Sequence, residues 1–267
     1  MTSTATRRVA RTMLNKVPEV TIFFWVIKVF ATTVGETAAD FLNVNLNLGL
    51  TVTTIIVGAA LVATLVYQFK ARQYVPGVYW LAVVLISIAG TLITDNLVDN
   101  LGVTLPVITG LFAIALGATF LIWHRSEKTL SIHTIVTTKR EAFYWLAILF
   151  TFALGTAAGD LVAEKLNLGY WKSALLFIAM IGIVAIAHYR LKLAAIPAFW
   201  MAYILTRPLG ASTGDYLSQP RDAGGLGLGT VGTSAIFLTT ILGIVLYLGA
   251  QQRKRELATA ADRALSA

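Results

Sequence analysis

Four aspartates recur at one fixed place in a strongly apolar chain, and their type and spacing make them the clearest candidates for chemistry. Each lies 15 residues after a tryptophan and 5 residues after a glycine. The tryptophans are Trp25, Trp80, Trp145 and Trp200, and the aspartates are Asp40, Asp95, Asp160 and Asp215. Both sets step along the chain by 55, 65 and 55 residues, so the sequence contains four internal repeats.

A carboxylate in an apolar helix is costly unless it faces water or a polar interior, so these aspartates are functional candidates. Glu36 lies four residues before Asp40 and therefore on the same helix face. Hard oxygen ligands of this kind suit Mg²⁺, Ca²⁺ or Mn²⁺, and they could also relay protons. The sequence predicts a ring of carboxylates that lines an ion pathway and binds metal: Asp40, Asp95, Asp160, Asp215 and Glu36. The alternative is that each aspartate only marks the end of its helix.

Two cations depart from the repeat pattern. Lys28 lies three residues after Trp25, Arg207 lies seven residues after Trp200, and the equivalent residues in the other repeats are uncharged. Arg207 is deep in its apolar run, so it needs an acidic partner, and Glu36 or an aspartate of the ring is the expected one. Lys28 either joins the same pathway or extends its ammonium to the cytoplasmic interface. Both cations are included in the predicted pathway.

The composition identifies the kind of structure that must position these residues. The chain has 267 residues, of which 57% are hydrophobic and only 13% are charged, and its mean hydropathy is +0.75. A soluble domain contains roughly 25% charged residues, so an integral membrane protein is predicted. The absence of cysteine excludes disulfides and thiolate metal sites. The net charge of +8 sits beside apolar segments, which favours contact with a lipid bilayer over binding to nucleic acid.

Each repeat supplies two apolar runs of about the 20 residues that cross a bilayer. The first run carries the tryptophan and the aspartate, and the second follows a Leu-Gly step. We therefore predict an all-α integral membrane fold with eight transmembrane helices in a single domain over residues 18–250. The predicted repeats cover residues 18–74, 75–140, 141–194 and 195–250, between a basic segment (1–17) and a polar tail (251–267).

The connections predict orientation. Basic residues gather after every second run, as at Lys70 and Arg72, so the positive-inside rule places these connections and both termini in the cytoplasm. The four tryptophans are then expected to anchor the helices at the cytoplasmic interface. The aspartates lie ~22 Å further along each helix, at ~1.5 Å per residue, in the outer third of the membrane.

An even number of helices per repeat gives all four copies the same orientation. Copies 1 and 3 are the most alike, which indicates an ancestral half of four helices that was itself a doubled hairpin. Pseudo-fourfold packing of such parallel repeats, in a two-plus-two arrangement, would bring the four aspartates to one depth around a central axis.

The spacing of the four tryptophans and their Gly-to-Asp stretches, over residues 18–250, resembles a bacterial family of membrane proteins. That family consists of four tandem two-helix repeats, each with a signature tryptophan, and is catalogued as a repeat of unknown function. The resemblance implies a multi-pass protein of the bacterial inner membrane and implies no activity.

From the residues themselves we predict a transporter or channel for a small inorganic cation. The acidic ligands favour a divalent cation, and transport would be coupled to protons if protonation competes with cation binding. The alternatives are a carrier for a small organic solute and a membrane scaffold or sensor. No cofactor is expected beyond a bound cation. An enzyme is not expected, because fourfold repetition of one aspartate does not suit a two-residue catalyst.

Overall fold

The computed structural model describes residues 15–266, and every long element in that part of the chain is an α-helix. Most of the basic segment predicted over 1–17 lies outside the described residues. The eight long helices are α1 (Ile22–Asp40), α2 (Gly49–Lys70), α3 (Pro76–Asp95), α4 (Leu105–Glu127), α5 (Thr138–Asp160), α6 (Tyr170–Leu191), α7 (Ala195–Ser218) and α8 (Gly229–Ser266). Thr21 and Thr137 cap α1 and α5 by accepting hydrogen bonds from backbone N–H groups of the first turn.

The odd-numbered helices form an inner ring. α1 packs against α3, α3 against α5, α5 against α7, and α7 returns to α1. The even-numbered helices lie outside this ring, and each packs mainly on the inner helix of the following repeat: α2 on α3, α4 on α5, α6 on α7 and α8 on α1. The four repeats therefore occupy equivalent places around one axis.

Burial separates the two sets of helices. In the most apolar window of the segments containing α1, α3 and α5, between 56% and 67% of the residues are buried, against 11% to 22% for α2, α4, α6 and α8. The outer helices expose large apolar side chains along their length, including Ile55, Ile114 and Ile183. A continuous apolar surface of this kind is rare on a soluble monomer.

Seven of the eight helices are long and apolar enough to cross a membrane, by length and composition alone. The eighth, α7, is 24 residues long but carries Arg207, Pro208 and Asp215 among several small polar residues. It nevertheless completes the inner ring, where it contacts α1, α5 and α6. The eight helices expected from the sequence are present, and α7 is polar because its inward-facing side chains lie in the bundle.

The Leu-Gly steps are explained by backbone conformation. The glycines of the Leu-Gly steps lie at or up to three residues before the start of the outer helices, and they have φ between +65° and +77°: Gly49, Gly102, Gly169 and Gly229. This left-handed conformation costs a residue with a Cβ roughly 1–2 kcal/mol. The repeated glycine thus reverses the chain between the inner and outer helices.

The signature glycines of the inner helices have a different role, which is close packing. A Cβ on Gly35 would overlap Ser87, one on Gly90 would overlap Phe152, one on Gly155 would overlap Arg207, and one on Gly210 would overlap Thr32. In each case the contacted residue lies three positions before the glycine of the next inner helix. The same contact is repeated around the ring, so these glycines let the inner helices approach closely.

The predicted cytoplasmic connections gather at one end of the bundle. Lys16 forms an ion pair with the buried carboxylate of Glu141 at 2.6 Å and donates a hydrogen bond to the carbonyl of Phe69. Gln68 also donates to Glu141 at 3.2 Å. These contacts tie the chain before α1, the end of α2 and the start of α5 together. We call this the basic end.

Candidate functional site

Equivalent positions of the inner helices form layers along the axis. There are four such layers. The aspartate layer is furthest from the basic end, and the layers of Glu36, of Arg207 and of Lys28 follow in that order toward the basic end. The members are Asp40, Asp95, Asp160, Asp215; Glu36, Thr91, Thr156, Ala211; Thr32, Ser87, Phe152, Arg207; and Lys28, Val83, Ile148, Tyr203. Successive layers are four residues apart along each inner helix, so the members of neighbouring layers lie on the same face of that helix.

Arg207 joins all four inner helices. Its side chain has no exposed surface, and its Nη2 lies 2.9 Å from Oε2 of Glu36. The same nitrogen donates hydrogen bonds to the hydroxyls of Thr91 and, at 2.7 Å, Thr156, while Nη1 donates to the carbonyl of Thr32 at 3.3 Å. The pairing of Arg207 with Glu36 that the sequence led us to expect is confirmed. A charge-assisted network of this kind fixes the guanidinium in one place.

Lys28 is also fully buried, so the alternative in which it extends to the cytoplasmic interface is wrong. Its Nζ lies 4.0 Å from the centre of the Phe152 ring and 4.3 Å from the centre of the Tyr203 ring. Among the described residues, Nζ has no hydrogen-bond partner. Its surroundings on α5 and α7 hold it inside the bundle, because the aromatic side chains there face the axis rather than lipid.

The aspartates form the layer furthest from the basic end. Asp40, Asp95 and Asp160 are partly exposed, whereas Asp215 is buried, with 7% of its surface exposed. They occupy equivalent positions on the four inner helices, which pack in a ring, and Glu36 lies one turn from Asp40 on α1. Two further acids, Asp99 and Glu164, lie one turn beyond this layer and are exposed. We call this acidic, partly exposed region the vestibule.

The vestibule has no closed metal site in the described part of the chain. Among the side chains that the structure describes, no three His, Cys, Asp or Glu residues come together in a way that could hold a metal ion. Metal binding by Asp40, Asp95, Asp160, Asp215 and Glu36 therefore stays a prediction. Carboxylates grouped in this way produce a negative potential where they are ionised, and such a potential raises the local concentration of cations.

In three repeats the aspartate is the last α-helical residue. A five-residue π-helical turn follows Asp40, Asp95 and Asp160, at Phe41–Asn45, Asn96–Asn100 and Leu161–Lys165. In the fourth repeat the α-helix continues past Asp215 to Ser218. Such π-helical turns often occur at functional sites, because they change the direction of neighbouring side chains and carbonyls. Residue types gave no signal for them.

An aromatic layer closes the axis toward the basic end. It is formed by the residues that precede the four tryptophans: Phe24, Tyr79, Tyr144 and Phe199. The hydroxyls of Tyr79 and Tyr144 are 2.5 Å apart, and both residues are fully buried. Phe24 also contacts the rings of Phe199 and Tyr203. We call this layer the floor.

The signature tryptophans pack around the floor. Trp80, Trp145 and Trp200 are at most 4% exposed, and Trp25 is half-buried. Trp200 donates a hydrogen bond from Nε1 to the carbonyl of Leu130 at 3.0 Å. The structure thus corrects the expectation that these indoles anchor the protein in a lipid interface, because three of the four lie between helices. Trp25 can still reach the bundle surface.

Eight helices in four two-helix repeats, with a largely apolar outer surface, define a multi-pass membrane protein with a polar axis. The family profile described as Repeat of Unknown Function (DUF347) matches the chain four times, at residues 23–74, 78–129, 143–193 and 198–254. The chain belongs to this family, as the tryptophan and aspartate spacing indicated. No curated protein and no solved structure matches it.

Proposed function

We propose that this protein is a membrane transporter or channel for small inorganic cations, with the aspartates at the entrance of its pathway. The observation that carries the proposal is the asymmetry of the axis. The axis is acidic at the vestibule, where three of the four aspartates are partly exposed, and it is aromatic at the floor, where Phe24, Tyr79 and Tyr144 are buried. A group of ionised carboxylates in low-dielectric surroundings attracts cations and repels anions.

The Arg207–Glu36 pair is the closed gate in this proposal. Glu36 lies one turn below the aspartates, and its charge is neutralised by Arg207 rather than by a mobile cation. An arriving cation competes with the guanidinium for the carboxylate. Opening would require Arg207 to leave Glu36 for another partner. During this exchange, Arg207 would keep its hydrogen bonds to the hydroxyls of Thr91 and Thr156.

An organic solute is less well supported. A cavity of about 590 Å³ exists, but it lies outside the inner ring, between α1, α6, α7 and the connection after α4. Its lining is mostly apolar, as at Ile178, Val184 and Phe199, and includes none of the carboxylates. The cavity large enough for an organic solute and the carboxylates of the inner ring therefore lie in different parts of the protein.

The basic end is placed in the cytoplasm in this proposal, with the vestibule facing the other side of a bacterial inner membrane. Its support is the positive-inside rule applied to the connections, since basic residues are retained on the cytoplasmic side during insertion.

Flux measurements in proteoliposomes test the proposal. The native protein, Asp160→Asn and Asp222→Asn would be assayed with Na⁺, K⁺, Mg²⁺, Ca²⁺ and Mn²⁺ outside and a pH-sensitive dye inside. Asp222 is an exposed aspartate in the connection after α7 and provides the matched control. We expect Asp160→Asn to lower flux about tenfold or more, equivalent to losing about 1.4 kcal/mol of cation stabilisation. Flux of none of the cations through folded protein would refute the proposal, and so would an equal loss in both variants.

A further inference from the structure

Lys28 is the cation that the gate does not use. Glu36, the buried carboxylate nearest to it along α1, is already paired with Arg207. The Lys28 ammonium instead lies over the faces of Phe152 and Tyr203, at 4.0 Å and 4.3 Å from the ring centres. Two aromatic faces around one nitrogen form the arrangement that proteins use to bind ammonium groups.

The position of this arrangement matters as much as its chemistry. Phe152 belongs to the Arg207 layer and Tyr203 to the Lys28 layer, so Nζ lies between the gate and the floor. The ring of Phe152 also lies 5.9 Å from the guanidinium carbon of Arg207. A cation that passed the gate would meet these two rings next, and Lys28 already occupies that place.

We propose that the faces of Phe152 and Tyr203 form an inner cation site and that Lys28 is a tethered cation that fills it while the protein is closed. This proposal rests on the proposed function for its place in a transport pathway, but the binding site stands on the ring geometry alone. When Lys28 leaves, a cation of the same class can take its place.

The chemistry of the site selects the class of cation. Aromatic faces offer no oxygen ligands, so they cannot replace the hydration shell of a divalent cation such as Mg²⁺, which gives up water reluctantly. They suit weakly hydrated monovalent cations, and an ammonium group benefits most when it is desolvated. The site therefore takes ammonium, small alkylammonium ions or K⁺. This set of cations is narrower than the set that the acidic vestibule would attract.

Chemical rescue tests the binding site without any measurement of transport. Lys28→Ala removes three methylenes and the amine, which together equal n-propylammonium. Thermal unfolding of the detergent-solubilised variant would be followed with n-propylammonium chloride, with 1-propanol as the neutral isostere, and with NaCl as the salt control. We expect n-propylammonium to restore at least half of the lost melting temperature in a saturable manner and to leave the native protein unchanged.

The rings provide a second control. In the Lys28→Ala background, Phe152→Leu should abolish the rescue, whereas Phe177→Leu on the outer helix α6 should keep it. Equal rescue by 1-propanol and n-propylammonium would overturn the proposal, because the space would then be an apolar cavity. Rescue by neither compound would overturn it as well.

Lys28→Met keeps an apolar side chain of similar length and removes the ammonium. It therefore tests the role of the Lys28 charge if the alanine variant does not fold. We expect a higher resting flux of methylammonium into proteoliposomes than for the native protein, and an unchanged flux would count against the tethered-cation role. If Asp160→Asn has no effect on flux while n-propylammonium still rescues Lys28→Ala, the inner site holds and the proposed entrance fails.

Discussion

Removing the negative charge of Glu36 should destabilise the bundle strongly, because Arg207 would be left as an uncompensated buried cation. Glu36→Gln keeps the size of the side chain and an oxygen that can still accept from Nη2, so the variant isolates the charge. Arg207 has no exposed side-chain surface and Glu36 is 9% exposed, so water can screen the pair very little. Breaking a buried ion pair of this kind costs about 3–5 kcal/mol.

A double-mutant cycle tests the reasoning. Arg207→Met alone should cost a similar amount, because it leaves Glu36 buried without its partner. The combined variant should be less destabilised than Glu36→Gln alone, since no unpaired charge remains. Unfolding in mixed detergent micelles, followed by tryptophan fluorescence, would measure the four free energies of unfolding. Glu19→Gln, at an exposed acid before α1, is the matched control and should be neutral.

Additive effects of the two substitutions would refute this account. They would mean that Glu36 and Arg207 contribute independently, through packing or through the threonine hydrogen bonds, and not as a pair. Residues in contact normally show an interaction energy of about 0.5–3 kcal/mol in such cycles.

Two glycine substitutions test the packing of the ring and the reversal of the chain. Gly155→Ala should lower the free energy of unfolding by about 1–3 kcal/mol because its Cβ would overlap Arg207, whereas Gly117→Ala, on the open face of α4, should be neutral or slightly stabilising. Equal effects at both positions would show that the close contact is not energetically important. Gly49→Ala should cost about 1–2 kcal/mol because its φ is +74°, although nothing lies near its Cβ, and Gly58→Ala in the same helix should not. The same unfolding assay measures all four variants, and an unaffected Gly49→Ala protein would contradict the backbone explanation.

The sequence predicted the inner helices well because their signal is repeated four times. The fixed offset from tryptophan to aspartate placed the carboxylates at one depth, and the burial of Arg207 in an apolar run required the acid that Glu36 supplies. These predictions needed only helical periodicity and the cost of a buried charge. The role of the signature glycines in close packing was not predicted, because it depends on the residue that each one meets on the next inner helix.

The sequence did not predict features that depend on which inner helices pack against each other, because the sequence of one repeat does not specify its neighbours in the ring. For Lys28 and the tryptophans, the sequence is equally compatible with a position at the membrane interface and a position inside the bundle. Only their aromatic neighbours from other repeats show that they lie inside the bundle. The π-helical turns after Asp40, Asp95 and Asp160 arise where the helix meets the reversal to the outer helix. The hydrogen bonds from Arg207 to Thr91 and Thr156 depend on the packing of three inner helices, so the sequence did not predict them.

The packing of each outer helix on the following repeat has a consequence for assembly. α2, α4 and α6 find their partner as soon as the next hairpin is made, whereas α1 must wait for α8, more than 180 residues later in the chain. Before α7 is made, Glu36 lacks Arg207 and Lys28 lacks Tyr203, and α1 gains its outer helix only afterwards, with α8. The polar axis is therefore complete only when α7, the last inner helix, closes the ring, and α8 then covers α1 from outside.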